Sequence, residues 1–531
     1  MGKIMNKMRR FIPLAGITIT GGAMWGYLLL SPVTLANSTE PGHRECDKAL
    51  ERNHRRPTTY FRVGRDCFKW GDLPGAIEAF NKALKLDSNY AAAYYFLGLS
   101  YFYLDQCEEA KENFTKALDS DLEEISAIVS ASYHQGVCHY NLEEYDEAIK
   151  AFDKTIEIKS DHAQAYYYRG LSYKDLGNNT KALKDFKAAI EHNPNYTNAY
   201  YEKGVLLYNL EQYEEAISDF TRTIQLKDDS VGAYYYRGLI YQRSKKFPEV
   251  IRDFEQVIKL DPDNPDNFFV YYQKGLTHYY QEDFEAAITD FQETVRIKND
   301  YAPAYYFLGK CYTDKEEKEF QQAINNYNEA INLKPDYVLA YYQRGLIYSK
   351  LEYQKAIADF DKAIQYQQDY VPAQYQKGVA HYNLGQYSNA ISDFNRTLDL
   401  EGDHGGAYYY RGLSHYGLKK FDLAISDFKQ VLVPDPNNFT AYYQIGNSYA
   451  AKKEFQEAIE NYDDAIRLKP DYDLAYYQRG SAHYQLKNCE NAIKDLRTAK
   501  RLFGESGNTD FQSRVSKDLE TIEKNCNLNS N

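Results

Sequence analysis

The stretch AYYQRGLIYSKLEYQKAIADFDKAI runs from Ala340 to Ile364. Tyr341, Gly345 and Tyr348 fall four and three residues apart, and Ala356, Phe360, Ala363 and Ile364 keep the same period. Residues at that spacing share one face of a helix, so the stretch predicts two short amphipathic helices with a polar break between them. Its opening six letters return unchanged at Ala475–Gly480.

Working outward from Gly345, the chain aligns on its own glycines: Gly64, Gly98, Gly136, Gly170, Gly204, Gly238, Gly275, Gly309, Gly345, Gly378, Gly412, Gly446 and Gly480. The spacings are 34, 38, 34, 34, 34, 37, 34, 36, 33, 34, 34 and 34. Ten units carry alanine twelve residues after the glycine (Ala76, Ala110, Ala148, Ala182, Ala216, Ala287, Ala390, Ala424, Ala458, Ala492). Phe or Tyr follows four residues further on in most units, as in Phe80, Phe152, Phe220, Phe394 and Tyr462. Second halves end at prolines such as Pro194, Pro262, Pro335 and Pro470, where the hydrogen-bond ladder cannot continue. A period this regular predicts an all-α solenoid in which each unit buries its apolar face on its neighbours.

The pattern resembles the tetratricopeptide repeat family over residues 57–500, in about thirteen units. The resemblance implies antiparallel helix pairs stacked into a right-handed superhelix, whose first helices line a concave groove for a protein or peptide. It brings no catalytic residues. Relatives that clamp acidic chaperone tails use lysine three before the glycine and asparagine one after it. Here tyrosine and mostly Leu or Val stand there, so such a tail is not the expected ligand.

Two features depart from the usual repeat. In eight units the residue before the glycine is basic: Arg169, Lys203, Arg237, Lys274, Arg344, Lys377, Arg411 and Arg479. The same eight place aspartate before the second-helix aromatic or its equivalent: Asp185, Asp219, Asp253, Asp290, Asp359, Asp393, Asp427 and Asp495. The other five have neither trait. The co-occurrence predicts a bridge between the two helices of a unit, each partly buried charge requiring the other; common descent of recently duplicated units is the alternative.

The second departure is a doubled tyrosine. The ring four before the glycine shares the glycine's face and is expected in the core. The ring three before it recurs in twelve units: Tyr95, Tyr133, Tyr167, Tyr201, Tyr235, Tyr272, Tyr306, Tyr342, Tyr375, Tyr409, Tyr443 and Tyr477, with Phe61 in the thirteenth. By resemblance this position faces the groove. The twelve are candidate partner-binding residues, flanked by Leu99, Val137, Leu171, Val205, Leu239, Leu276, Leu346, Val379 and Leu413. Packing of the rings between neighbouring helices is the competing reading.

Five histidines fall three after a glycine (His139, His278, His381, His415, His483). One per layer cannot assemble a compact metal site, so packing is expected and no metal or cofactor is assigned. Cys138 and Cys311 occupy a small-residue position and read as packed thiols; Cys46–Cys67 and Cys489–Cys526 are candidate end bridges. No phosphate loop, GxSxG or HExxH is present, and no enzymatic activity is expected.

Residues 1–10 are basic, Phe11–Leu30 is apolar, and Thr34 and Ala36 offer a small-residue cleavage pair. Residues 1–36 therefore read as a signal peptide or signal anchor, with the bulk exported and either free or membrane-anchored. Residues 37–56 are expected as a polar linker or a loose first helix. Residues 501–531 are expected as a capping helix and tail, with Phe511, Val515, Leu519, Ile522 and Cys526 on one stripe. Net charge is −13, with four cations and no acids in residues 1–36, which disfavours nucleic acid. The sequence thus predicts an exported interaction scaffold that assists assembly of an envelope or membrane complex. A glycan- or wall-binding protein using the tyrosines, or a bare spacer, are the alternatives.

Overall fold

The computed structural model describes residues 40–52, 54–315 and 317–528, and the signal segment lies outside them. Two compact units divide at Asp261 and Pro262. In the first, a helix at Glu40–Leu50 precedes six helix pairs, from Pro57–Lys69 with Leu73–Leu86 to Val231–Arg243 with Phe247–Leu260. The second holds seven pairs, from Asn267–Tyr280 with Phe284–Ile297 to Asp473–Gln485 with Cys489–Glu505, and then a helix at Thr509–Leu528. No strand occurs among the described residues.

The repeating glycine is where the second helix closes on the first. A Cβ built on Gly345 would lie 2.7 Å from Phe360, and one on Gly378 would lie 2.6 Å from Phe394. Those aromatics are fully buried, as are the alanines twelve after the glycine. In most pairs the two helices turn through a residue seven after the glycine with positive φ; the pair at Gly345, one residue shorter, joins through the extended Glu352 instead. Gly177 and Gly385 fill the turn position with φ of 76° and 71°, while Glu143 and Glu211 hold the same conformation at 62° and 61°. Glycine adopts it without cost, whereas an L side chain strains there.

Insertions are absorbed at junctions. The segment before Gly136 lengthens its first helix to 17 residues, Ile125–Asn141, against 13 in Ala163–Asp175. The extra residues after Gly309 form a short 3-10 turn at Glu317–Glu319.

Residues 40–50 are not a free tether. Cys46 is bonded to Cys67 across a Cα–Cα distance of 5.4 Å, Cys46 and Leu50 are buried, and His43 Nδ1 lies 3.0 Å from Asp72 Oδ1. The bond and the apolar residues dock this helix on the first repeat despite its polar composition. Cys489 is bonded to Cys526, and Val515, Leu519 and Ile522 are buried against the last pair, so Thr509–Leu528 covers that end. No helix of the described residues is long and apolar enough to cross a membrane.

Candidate functional site

Each cation before a glycine reaches across to its aspartate. Arg344 Nε and Nη2 donate to the two oxygens of Asp359 at 2.8 and 2.6 Å. The same two-pronged bond joins Arg169 to Asp185, Arg237 to Asp253, Arg411 to Asp427 and Arg479 to Asp495, all within 3.0 Å. Burial pushes the Asp359 carboxyl up even so, and the carboxylate beside it holds the Arg344 guanidinium above its ordinary value.

A third partner stands in the preceding repeat. Arg169 Nη1 donates to Asp153 and Arg479 Nη1 to Asp463, both at 2.5 Å; Arg237 Nη1 donates to Thr221 at 3.1 Å and Arg344 Nη1 to Asn328. The bridge therefore ties a repeat to its neighbour as well as closing its own pair. The cation also lies over the tyrosine three residues earlier in seven units: Tyr166, Tyr200, Tyr234, Tyr271, Tyr341, Tyr408 and Tyr476 sit 5.2 to 5.8 Å from it. Of these rings only Tyr341 is buried. The expectation that this column forms core needs correction: the glycine meets the second-helix aromatic, and the tyrosine covers the guanidinium or ammonium.

Lysine does not fill both carboxylate oxygens, and the remaining oxygen meets a histidine in two of the three lysine units. Lys274 binds Asp290 Oδ1 at 3.0 Å while His278 Nδ1 donates to Oδ2 at 2.8 Å. Lys377 lies 3.3 Å from Asp393 Oδ1, and His381 Nδ1 donates to Oδ2 at 2.6 Å. Lys203 binds Asp219 Oδ1 at 2.9 Å, but Leu207 stands where the others have histidine, and Asp219 Oδ2 is buried without a partner. Beside arginine the histidine is held off, His415 at 3.7 Å and His483 at 4.0 Å, and burial lowers the basicity of both. Spacing alone did not reveal the histidines as second donors, because they accompany arginine and lysine alike.

The tyrosines three before the glycine lie between repeats. Tyr342 pairs with Tyr370 at 5.3 Å, Tyr306 with Tyr337 at 5.2 Å, Tyr167 with Tyr196 at 5.0 Å and Tyr375 with His404 at 4.6 Å, in each case with the residue that caps the next first helix. Their other side meets the second-helix aromatic, as Tyr342 meets Phe360 at 6.1 Å. Tyr167, Tyr306 and Tyr443 are buried and offer a ligand nothing without rearrangement. Tyr95, Tyr133, Tyr201, Tyr235, Tyr272, Tyr342, Tyr375, Tyr409 and Tyr477 remain partly exposed. Burial pushes the hydroxyls of Tyr306 and Tyr375 up to about 12 and that of Tyr133 well above its usual value, so these groups stay neutral. One residue after the glycine, Leu99, Val137 and Leu171 are buried, whereas Val205, Leu239, Leu276, Leu346, Val379 and Leu413 are partly exposed.

Neighbouring first helices also match at a second level. The ring four after one glycine meets the ring two before the next: Phe102 with His134 at 4.7 Å, Tyr140 with Tyr168 at 5.8 Å, Tyr208 with Tyr236 at 5.2 Å and Tyr382 with Tyr410 at 5.4 Å. Where the first position is Lys174 the second is Glu202, and they pair at 2.6 Å.

One group of atoms with metal-ligand chemistry comes together among the described residues, Cys46, Cys67 and Asp72. Its two sulfurs are bonded to each other, and Asp72 accepts from Gly75 N at the start of a helix.

Family models described as TPR repeat match residues 64–105, 312–351 and 446–487. Others described as tetratricopeptide repeat match 97–163, 163–196, 186–218, 231–264, 270–301, 338–370, 375–439 and 474–504. The chain belongs to the tetratricopeptide repeat family. No curated protein sequence matches it. Among solved structures it is similar to YrrB, a TPR protein with an unusual peptide-binding site, at 27% identity over 36% of this chain and 96% of that one, TM-score 0.33. It is similar to MamA at 27% over 31% and 95%, TM-score 0.30. The C-terminal part of a TPR repeat-containing protein from Cytophaga hutchinsonii is 19% identical over 46% and 98%, TM-score 0.41. As a TPR array the chain is an interaction scaffold, and none of the matching models describes a catalytic family.

Proposed function

We propose that the chain is an exported scaffold that holds an extended segment of a partner protein along its first-helix face. The observation that carries this reading lies in the second unit, where Leu276, Leu346, Val379 and Leu413, one residue after their glycines, are partly exposed beside the partly exposed Tyr272, Tyr342, Tyr375 and Tyr409 three before them. Residues four apart share a helix face, so each of these first helices presents one aliphatic and one aromatic contact on the same side. Rigid rings with neutral hydroxyls give contact area at little entropic cost. The basic, apolar and small-residue run of residues 1–36 supports export, and two disulfides support an oxidising compartment. A role in an envelope or membrane complex follows from that location. The test is capture from an envelope extract by the full mature chain and by a Leu346→Lys, Val379→Lys, Leu413→Lys variant, which leaves the inter-repeat rings intact. A protein partner retained by the parent and lost by a folded variant supports the reading. Equal capture by both removes this face as the site, and retention on wall polysaccharide in place of protein favours the glycan-binding alternative.

A further inference from the structure

Cys107 and Cys138 face each other across a repeat junction. Cys107 is the first residue of the helix Cys107–Asp119, and Cys138 stands in the first helix of the next repeat, two after Gly136. Both belong to one cluster with Leu99, Ala110, Phe114 and Ala131. Each thiol is the other's leading electrostatic partner, and Asn141 Nδ2, three residues after Cys138, donates to Cys107 Sγ at 3.8 Å. Asp105 and Glu108 are the charged groups nearest Cys107. Cys138 is fully buried, while Cys107 retains 9% exposure and lies at a helix N-terminus, where the peptide dipoles favour a thiolate.

Cys311 supplies the comparison within the chain. It too stands two after its glycine and is fully buried, but the residue opposite it, at the start of the preceding second helix, is Phe284. Burial pushes the Cys311 thiol up to about 12, whereas the contact between Cys107 and Cys138 draws the Cys107 thiol down and pushes that of Cys138 up. Other repeats fill the Cys107 position with Leu73, Tyr145, Asn179, Tyr213 or Phe247.

We propose that Cys107 and Cys138 form a thiol–disulfide exchange site, with Cys107 the attacked and attacking sulfur and Cys138 the resolving one, taking a small-molecule disulfide as oxidant. The Cys107 thiolate attacks one sulfur of the oxidant; a mixed disulfide forms and one thiolate leaves. Cys138 loses its proton and attacks the Cys107 sulfur, expelling the second thiolate. Two protein thiols become one disulfide and the oxidant becomes two thiols, so protons and electrons balance. The product links two consecutive repeats, a third covalent tie beside the two at the ends.

The test exposes the folded full chain, reduced and then freed of reductant, to oxidised glutathione, then unfolds it in denaturant with iodoacetamide to block the remaining free thiols, and maps peptides by mass spectrometry. The expected result is a linked Cys107–Cys138 peptide as the major form, with Cys311 alkylated. In Cys138→Ala, Cys107 should instead accumulate a stable glutathione adduct, at least about tenfold above that on Cys311, a ratio of roughly 1.4 kcal/mol. Alkylation of both Cys107 and Cys138 in protein that circular dichroism shows to be folded overturns the proposal. So does a glutathione adduct on Cys107 of the parent chain that never resolves.

Discussion

The orphaned oxygen of Asp219 makes the repeat at Gly204 the weakest link of its kind, and Lys203→Arg should repair it. The ammonium of Lys203 reaches only Oδ1, at 2.9 Å, leaving Oδ2 buried and unpaired. A buried polar atom without a partner costs about 1–3 kcal/mol. A guanidinium in the geometry of Arg237 on Asp253 would fill both oxygens. One effect opposes the gain. The third partner, Thr221 for Arg237, would here be Lys187, whose charge is felt at Asp219. The net stabilisation is therefore set at about 1 kcal/mol for Lys203→Arg alone, rising to about 2 when Lys187→Thr restores an acceptor. Because long repeat arrays need not unfold in one step, the measurement is amide hydrogen exchange along Tyr213–Leu226, where each 1.4 kcal/mol slows exchange about tenfold. The pH dependence gives a second reading. Burial raises the Asp219 pKa, so the folded chain binds its proton more tightly than the unfolded one. Stability contributed there falls as pH rises from the ordinary carboxylate value through the raised one, and the arginine should flatten that slope. Unchanged or faster exchange in the double variant would refute the reasoning.

Two further outcomes follow from the bridges at the centre and at the end. Asp359→Ala strands the half-buried Arg344 and should cost about 3 kcal/mol, read as faster exchange in Val338–Leu351, whereas adding Arg344→Leu, close to the Leu308 arrangement, should recover most of the loss. Cys489→Ser with Cys526→Ser removes the tie on Thr509–Leu528 and should lower the stability of that end by about 2–4 kcal/mol, seen as early proteolysis within the last helix.

The helix pairs were legible because thirteen copies of one pattern sit in one chain, and the cation–aspartate bridge because presence and absence co-vary among those copies. Contacts between repeats left a fainter trace. The acceptor that Arg169 finds in Asp153 lies in the repeat before, at a position that varies through Asp, Thr and Asn, so no single residue type marks it. The tyrosine ladder leaves ligand contact and packing both open in the sequence because its packing partner lies at the mouth of the next helix, as Tyr370 does for Tyr342. That column of Tyr90, His162, Tyr196, Tyr301, Tyr337, Tyr370, His404 and Tyr472 was visible, yet tyrosine and histidine at a helix start carry no period of their own. The helix at Glu40–Leu50 has a polar sequence, and only the bond through Cys46 decides its place.

The paired positions on neighbouring first helices bear on how such a chain can change length over generations. Recombination between similar repeats can excise a whole period: losing residues 163–196 would bring Gly136 and Gly204 to the usual spacing of 34. The product would keep every helix in step but set Tyr140 against Glu202, in place of the ring of Tyr168 on one side and the ammonium of Lys174 on the other. The repeats are alike enough to be copied but are keyed to their neighbours, so a repeat cannot be excised here without remaking the contact between the two first helices it leaves side by side.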